Sequence, residues 1–213
     1  APSVLAQVAS DISAWLVHYS TDYVFDGTGI LAWQEGDPTG PLGEYGKTKL
    51  EGEQAIIASG CNHLIFRTSW VYAARGKNFS KTILQMALEH DHLNVINDQI
   101  GAPTGADMIA DVTAHAIRRV LKKPELSGLY HLVASGETSW HGYANHVITR
   151  ARQLQPQLGW KVSEIVPVPS SFFLSKAKRP LNSRLSTQKI QQAFAITLPH
   201  WQIGVDRLVD EIK

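Results

Sequence analysis

The stretch HYSTDYVFDG, residues 18–27, indicates where a strand ends and which side chains follow it. It continues an apolar, β-prone run that starts near Trp15, and it then changes to Ser, Thr, Asp and Gly. An apolar run with a polar end is typical of a buried strand whose carboxyl end reaches a ligand. We therefore predict a strand over 15–20 and expect Thr21 and Asp22 to lie at a functional site.

Strands and helices alternate along the rest of the chain, which favours an α/β fold with a parallel sheet. Further strands are predicted over 63–72 and 128–134. The predicted helices cover 43–60, 78–90, 106–121, 139–152, 183–194 and 198–212. In such sheets ligands bind beyond the carboxyl ends of the strands. The stretch RTSWVY, at the end of the second strand, therefore adds Trp70 to the candidate site.

The bulk composition excludes several kinds of partner. The chain has 213 residues and a formal net charge of +1, which gives no sign of a nucleic-acid or membrane surface. Its apolar runs are all shorter than the roughly 18 residues needed to span a bilayer. The single cysteine, Cys61, cannot form a disulfide within the chain, so we expect a reducing compartment and a cytoplasmic location.

Tyr45 and Lys49 form the second part of the candidate site. They are four residues apart in a predicted helix and therefore share one of its faces. A nearby ammonium favours the phenolate form of a tyrosine, which prepares the phenol for proton transfer. Thr21, at the end of the first strand, could donate a hydrogen bond to a substrate carbonyl oxygen. A Tyr-x-x-x-Lys pair alone also occurs by chance, so its context decides the interpretation.

That context resembles a known enzyme family. A strand-end Ser or Thr followed by Tyr-x-x-x-Lys at a helix start is the arrangement of the short-chain dehydrogenase/reductase superfamily. The segments STDYVFDG, PLGEYGKTKLEGE, RTSWVY, DQIGAPTG and GLYHLVASGETSWHGYA follow one another in matching order and spacing. On these motifs, essentially the whole chain resembles the dTDP-4-dehydrorhamnose reductases of the extended branch of that superfamily.

The resemblance implies a reaction and three catalytic residues. The reaction is the NADPH- or NADH-dependent reduction of the C4 ketone of dTDP-4-dehydro-L-rhamnose, which supplies a precursor of cell-surface polysaccharides. Tyr45 would donate the proton, and Lys49 would assist its ionisation and hold the nicotinamide ribose. Thr21 would polarise the ketone.

Binding residues are implied by the same resemblance. Tyr19 would lie beside the cofactor, together with the catalytic tyrosine and lysine. Asp22 and Trp70 would contact the sugar of the dTDP-sugar substrate, together with the catalytic threonine. Apart from the resemblance, the basic stretch KRPLNSRL, residues 178–185, could simply lead into a helix, or it could meet the nucleotide diphosphate through Arg179 or Arg184, since a guanidinium suits phosphate geometry.

The family pattern begins with a Gly-rich strand–turn–helix that holds the cofactor pyrophosphate. No G-x-G-x-x-G occurs in this sequence, and GTGILA, residues 27–32, lacks the third glycine. We therefore expect residues 1–95 to form the second half of a Rossmann-type sheet. Residues 96–213 would form mainly a smaller substrate-binding domain, with some elements returning to the sheet. The selector between NADH and NADPH would lie outside this sequence.

A metal site and a homodimer are further expectations from the resemblance. Some relatives dimerise through a magnesium ion held by carboxylates. The corresponding positions here carry Asp107 and Glu211, and one of them has Asp in place of Glu. Mg²⁺ needs several oxygen ligands, so two carboxylates alone do not establish a magnesium site.

Two other functions stay open. Nucleotide-sugar 4-epimerases and dehydratases use the same Thr, Tyr and Lys chemistry, although no Glu follows Asp22 as a dehydratase would need. Some reductase-like proteins instead serve as regulatory subunits of methionine adenosyltransferase. A cofactor that co-purifies would favour an epimerase, and capture of the transferase would favour the regulatory subunit.

Overall fold

The computed structural model describes residues 1–173 and 178–212. Seven α-helices and nine strands lie within these residues. The helices are α1 (Pro2–Asp11), α2 (Glu44–Ala58), α3 (Phe79–Glu89), α4 (Ala106–Val120), α5 (Trp140–Leu154), α6 (Gln188–Phe194) and α7 (Trp201–Glu211). The strands are β1 (Leu16–Thr21), β2 (His63–Thr68), β3 (Val71–Tyr72), β4 (His92–Ile96), β5 (Ile100–Gly101), β6 (Thr104–Gly105), β7 (Gly128–His131), β8 (Thr138–Ser139) and β9 (Glu164–Val168).

The main sheet is parallel and has the order β1-β2-β7. Its register pairs Thr21 with Thr68 and Arg67 with His131. The strands therefore end at the same edge, as a parallel α/β fold requires. β7 comes from the second half of the sequence.

Helices cover both faces of this sheet because side chains alternate along each strand. On one face, Ile65 of β2 packs with Ile56 of α2 and with α1. On the other face, Phe66 packs with α4 and α6. Ile109 and Val120 of α4 are buried there. The result is the three-layered arrangement of an α/β domain.

A second region packs around a two-stranded parallel pair of β4 and β9. Residues of α3 and α5 bury its apolar side chains, and α7 packs on the other side of α5. Side-chain caps start α3 and α5, since Asn78 accepts from the backbone N–H of Lys81 and Ser139 accepts from that of Gly142. Within the described residues, no helix is both long and apolar enough to cross a membrane.

The prediction of one continuous strand over 63–72 was wrong. The structure divides it into β2 and β3, with Ser69 and Trp70 between them. Trp70 has a φ of 48°, which lies in the left-handed region and cannot continue a strand. β3 then pairs with β6 instead of extending the main sheet. The turn brings the residues after β2 into the site described next.

Candidate active site

A cavity of about 400 Å³ opens at the carboxyl ends of β1 and β2. Five of the predicted site residues line it: Thr21, Asp22, Tyr45, Trp70 and Arg179. The first four lie at or just after the ends of β1 and β2 and in the first turn of α2, which the parallel sheet and its crossover helix bring to one edge, while Arg179 comes from the second half of the chain. The structure thus brings these predicted residues to one cavity, and their roles stay predictions.

Thr21 and Asp22 form the buried floor of the cavity. The Thr21 hydroxyl donates to Asp22 Oδ1 at 3.1 Å and accepts from the backbone N–H of Tyr23 at 3.2 Å. Burial raises the pKa of Asp22 to about 6, against smaller opposing effects of the Ser183 and Thr21 hydroxyls. Asp22 therefore carries a proton more readily than an exposed aspartate does.

Tyr45 stands at the mouth of the cavity in the first turn of α2. The residue is 59% exposed, and its ring packs edge-to-face with that of Tyr23 at 5.7 Å between centroids. Gly46 allows α2 to come this close, because a Cβ there would lie 2.1 Å from the carbonyl oxygen of Tyr23. The phenol is thus open to a ligand while the backbone beneath it is tightly packed.

Lys49 lies one turn beyond Tyr45 but does not line the cavity. Its ammonium donates to the backbone oxygen of Tyr19 and lies 3.5 Å from His18 Nε2. Burial lowers the pKa of Lys49, and the nearby Glu53 carboxylate acts in the opposite direction. In this structure the lysine ties α2 to β1.

Tyr19 also lies outside the cavity, and its predicted contact with the cofactor stays a prediction. The residue points to the other face of the sheet, where its hydroxyl is 2.9 Å from Thr113 Oγ1 of α4. Its ring lies near that of Phe66 at 6.2 Å between centroids.

Several cavity residues were missed by sequence reasoning. Thr68 and Ser69 carry buried hydroxyls that have no hydrogen-bond partner within the described part of the chain. Trp140, the first residue of α5, stacks on Trp70 at 3.8 Å between ring centroids. The position of Thr68 and Ser69 beside Trp70 at a strand end was a signal that could have found them. No local signal points to Trp140.

A second cavity, of about 680 Å³, adjoins the first. Arg179 lines both cavities, and Lys178 and Gln99 line the second. Arg184, the other predicted diphosphate contact, instead donates to Glu137 Oε2 at 2.7 Å. Of the two arginines, only Arg179 borders the two cavities.

Asp107 and Glu211 share a small separate cavity of about 120 Å³. Asp107 already accepts from Arg207 at 3.2 Å, and no group of three or more candidate metal ligands occurs in the described ranges. Two carboxylates, one of them paired, do not make up the oxygen set that Mg²⁺ prefers. The metal stays a prediction.

A family model described as the RmlD substrate binding domain matches residues 1–213. The chain belongs to this family. The dTDP-4-dehydrorhamnose reductase of Salmonella typhimurium is 55% identical to this RmlD-family chain over 208 residues. The match covers 98% of this chain and 69% of that protein. The resemblance inferred from the sequence motifs is confirmed.

Solved structures support the same conclusion. The dTDP-4-dehydrorhamnose reductase of Clostridium acetobutylicum has a TM-score of 0.86 and 32% identity, over 98% of this chain and 70% of that one. The enzyme of the same name from Bacillus anthracis, solved in complex with NADP, has a TM-score of 0.85 and 30% identity, over 99% and 70%. The predicted Rossmann-type α/β fold of this RmlD-family chain is thereby confirmed.

Proposed function

We propose that the chain belongs to an NAD(P)H-dependent reductase that converts dTDP-4-dehydro-L-rhamnose to dTDP-L-rhamnose. The observation that carries this proposal is the convergence of Thr21, Asp22, Tyr45 and Trp70 on one cavity. The 55% identity to a dTDP-4-dehydrorhamnose reductase supports the substrate. The NADP complex of a similar structure supports the cofactor.

The residues at the first turn of α2 fit the nicotinamide end of such a cofactor. Tyr45 is exposed beside the cavity, and Lys49 stands one turn further along the same helix. These two residues would hold the nicotinamide ribose. When bound, the reduced cofactor supplies the hydride that C4 of the sugar receives.

The remaining chemistry belongs to this chain. Reduction also adds a proton to O4, and the exposed Tyr45 phenol is the donor within reach of the cavity. The Thr21 hydroxyl would donate a hydrogen bond to O4 as negative charge develops there. Because that hydroxyl donates to Asp22 in this structure, the ketone must take the place of the Asp22 carboxylate as its acceptor.

The adjoining cavity suits the nucleotide end of the substrate. Arg179 and Lys178 bring positive charge, and a guanidinium pairs well with diphosphate oxygens. Leu42, Ile96 and Phe173 add apolar side chains to the same cavity, as a base-binding site requires. We place the diphosphate near Arg179, with the sugar on one side and the base on the other.

The division into a Rossmann half over 1–95 and a substrate-binding part over 96–213 is part of the proposal. A cytoplasmic location is also proposed, since the one cysteine, Cys61, is free and buried. A homodimer is proposed on the family resemblance alone.

The test is a reduction assay with product identification. The full-length product of the gene would be mixed with NADPH and dTDP-4-dehydro-L-rhamnose. We expect oxidation of one NADPH for each dTDP-L-rhamnose formed, with the product identified by chromatography. An interconverted sugar with no net oxidation of NADPH would contradict the proposal and favour an epimerase.

A further inference from the structure

Two tryptophans form a stacked pair at the edge of the proposed sugar site. The rings of Trp70 and Trp140 lie 3.8 Å apart between centroids and within 14° of parallel, and both residues line the cavity. Aromatic pairs in this arrangement attract each other beyond their burial alone. The stack covers one face of the Trp70 indole, so a ligand can reach only its other face and its edge.

The backbone of Trp70 is strained. Its φ of 48° lies in the left-handed region, which bulky residues rarely adopt. Such a conformation persists only when the surroundings hold it. The Trp70 carbonyl accepts from the N–H of Thr104 at 3.2 Å. Gly101 makes room for the indole, because a Cβ there would lie 2.9 Å from Trp70 Cε2.

Trp140 is itself held firmly in place. Its Nε1 donates to Gln99 Oε1 at 3.1 Å, and the Phe79 ring lies 4.7 Å from it. The antiparallel pairing of Ile100 with Ser139 sets the neighbouring residues Gln99 and Trp140 opposite each other. Gln99 is buried and lines the second cavity, so Trp140 connects the walls of the two cavities.

We propose that Trp140 is a positioning residue for the sugar, acting through Trp70. The stack holds the Trp70 indole in the strained turn so that its free face and edge meet the sugar, while the bond to Gln99 fixes the stack relative to the nucleotide end. This inference rests on the proposed dTDP-sugar substrate. It predicts that Trp140 contributes to binding of the sugar and not to binding of the nucleotide.

The test compares two probes, dTDP-L-rhamnose and dTDP, in titration calorimetry with the full-length gene product. Trp140→Leu should weaken dTDP-L-rhamnose binding by about 3- to 10-fold, the worth of an aromatic pair, and leave the dTDP affinity within about twofold. Trp140→Phe keeps an aromatic ring stacked on Trp70 and should lose less affinity for dTDP-L-rhamnose. Gln99→Met removes the carboxamide that accepts from Trp140 and should weaken dTDP-L-rhamnose binding by about 2- to 5-fold.

A spectroscopic measurement checks the stack without any ligand. Two stacked indoles couple their transitions, so the circular dichroism of the wild type should contain an exciton couplet. Trp70→Phe and Trp140→Leu should both abolish it. Trp160→Phe is the matched control, because Trp160 lines a different cavity and should leave both the couplet and the sugar affinity unchanged.

Two outcomes would overturn the inference. One is a Trp140→Leu or Gln99→Met protein that binds dTDP-L-rhamnose as the wild type does, and the other is an equal loss of affinity for both probes. Failure of the proposed function gives a different result, because the wild type itself would then bind dTDP-L-rhamnose no better than dTDP. That result would overturn the inference as well. The Gln99→Met variant keeps the test decisive if Trp140→Leu does not fold.

Discussion

At the scale of single residues, Thr21 is proposed to polarise the ketone oxygen of the substrate. Its hydroxyl lies on the cavity floor and can exchange its Asp22 acceptor for a ketone oxygen. Thr21→Ala should lower kcat by about 100-fold and raise KM much less, because the bond strengthens as the oxyanion forms. Thr21→Ser keeps the hydroxyl and should be milder. Steady-state kinetics of the three proteins would check this. If Ala and Ser both matched the wild type, Thr21 would only shape the turn.

The raised pKa of Asp22 makes the stability of the folded protein depend on pH. Its pKa rises from 3.8 to about 6 on folding, so between these values the folded state binds more protons than the unfolded state. Stability contributed by this group is thus lost as the pH rises through about 4 to 6. Asp22→Asn removes the cost, so this variant should be more stable than the wild type near pH 7 by at most about 3 kcal/mol. The gain should disappear near pH 4.

Urea unfolding near pH 4 and near pH 7 measures this difference. Asp91→Asn is the control, because Asp91 is exposed and lies away from the cavity. A gain from Asp22→Asn that is the same at both pH values would show that a change in packing, and not the buried charge, is responsible.

At the scale of elements, a buried ion pair holds α2 against the main sheet. Arg67 of β2 donates to both carboxylate oxygens of Glu53, at 3.0 Å and 2.6 Å, and Ser20 of β1 donates to the same carboxylate. Both charged side chains are almost fully buried. Glu53 lies on the helix that carries Tyr45, so the pair also sets how that helix meets the strand end at Thr21.

Breaking this pair should destabilise the protein strongly. Glu53→Gln leaves the Arg67 charge buried without its partner, and we expect a loss of about 3 to 5 kcal/mol in the free energy of unfolding. Glu44→Gln breaks the exposed pair with Lys47 on the same helix and should change stability little. Urea titrations of both variants give the comparison. Equal effects would mean that the buried pair contributes no more than a surface pair.

The same scale explains what the sequence could and could not predict. Thr21 and Tyr45 follow from local patterns, since one ends an apolar strand and the other stands four residues before Lys49 in a predicted helix. Trp140 and Gln99 could not be predicted, because the pairing of β5 with β8 brings them together over some forty residues of chain. The break at Trp70 was missed because a β-prone sequence gives no sign of a left-handed backbone held by distant contacts.

At the scale of the whole molecule, the structure predicts how tightly this chain binds its cofactor. The proposed contacts reach only the nicotinamide end, and the sequence holds no Gly-rich turn for the pyrophosphate. β1 is an outer strand of the main sheet, and α1 beside it exposes Val4, Leu5 and Ile12. The 213-residue chain on its own should therefore bind NADPH weakly or not at all, and it should tend to aggregate. Titration calorimetry that found micromolar binding at one site per chain would refute this.

The central claim is that the cavity bordered by Thr21, Tyr45 and Trp70 reduces a sugar ketone, and Tyr45→Phe tests it most directly. The measurement is the turnover of dTDP-4-dehydro-L-rhamnose with NADPH by the full-length gene product, with and without this substitution. Loss of the phenol proton should lower kcat by about 10² to 10⁴, while the retained ring keeps substrate affinity nearly unchanged. Turnover close to that of the wild type would contradict the account.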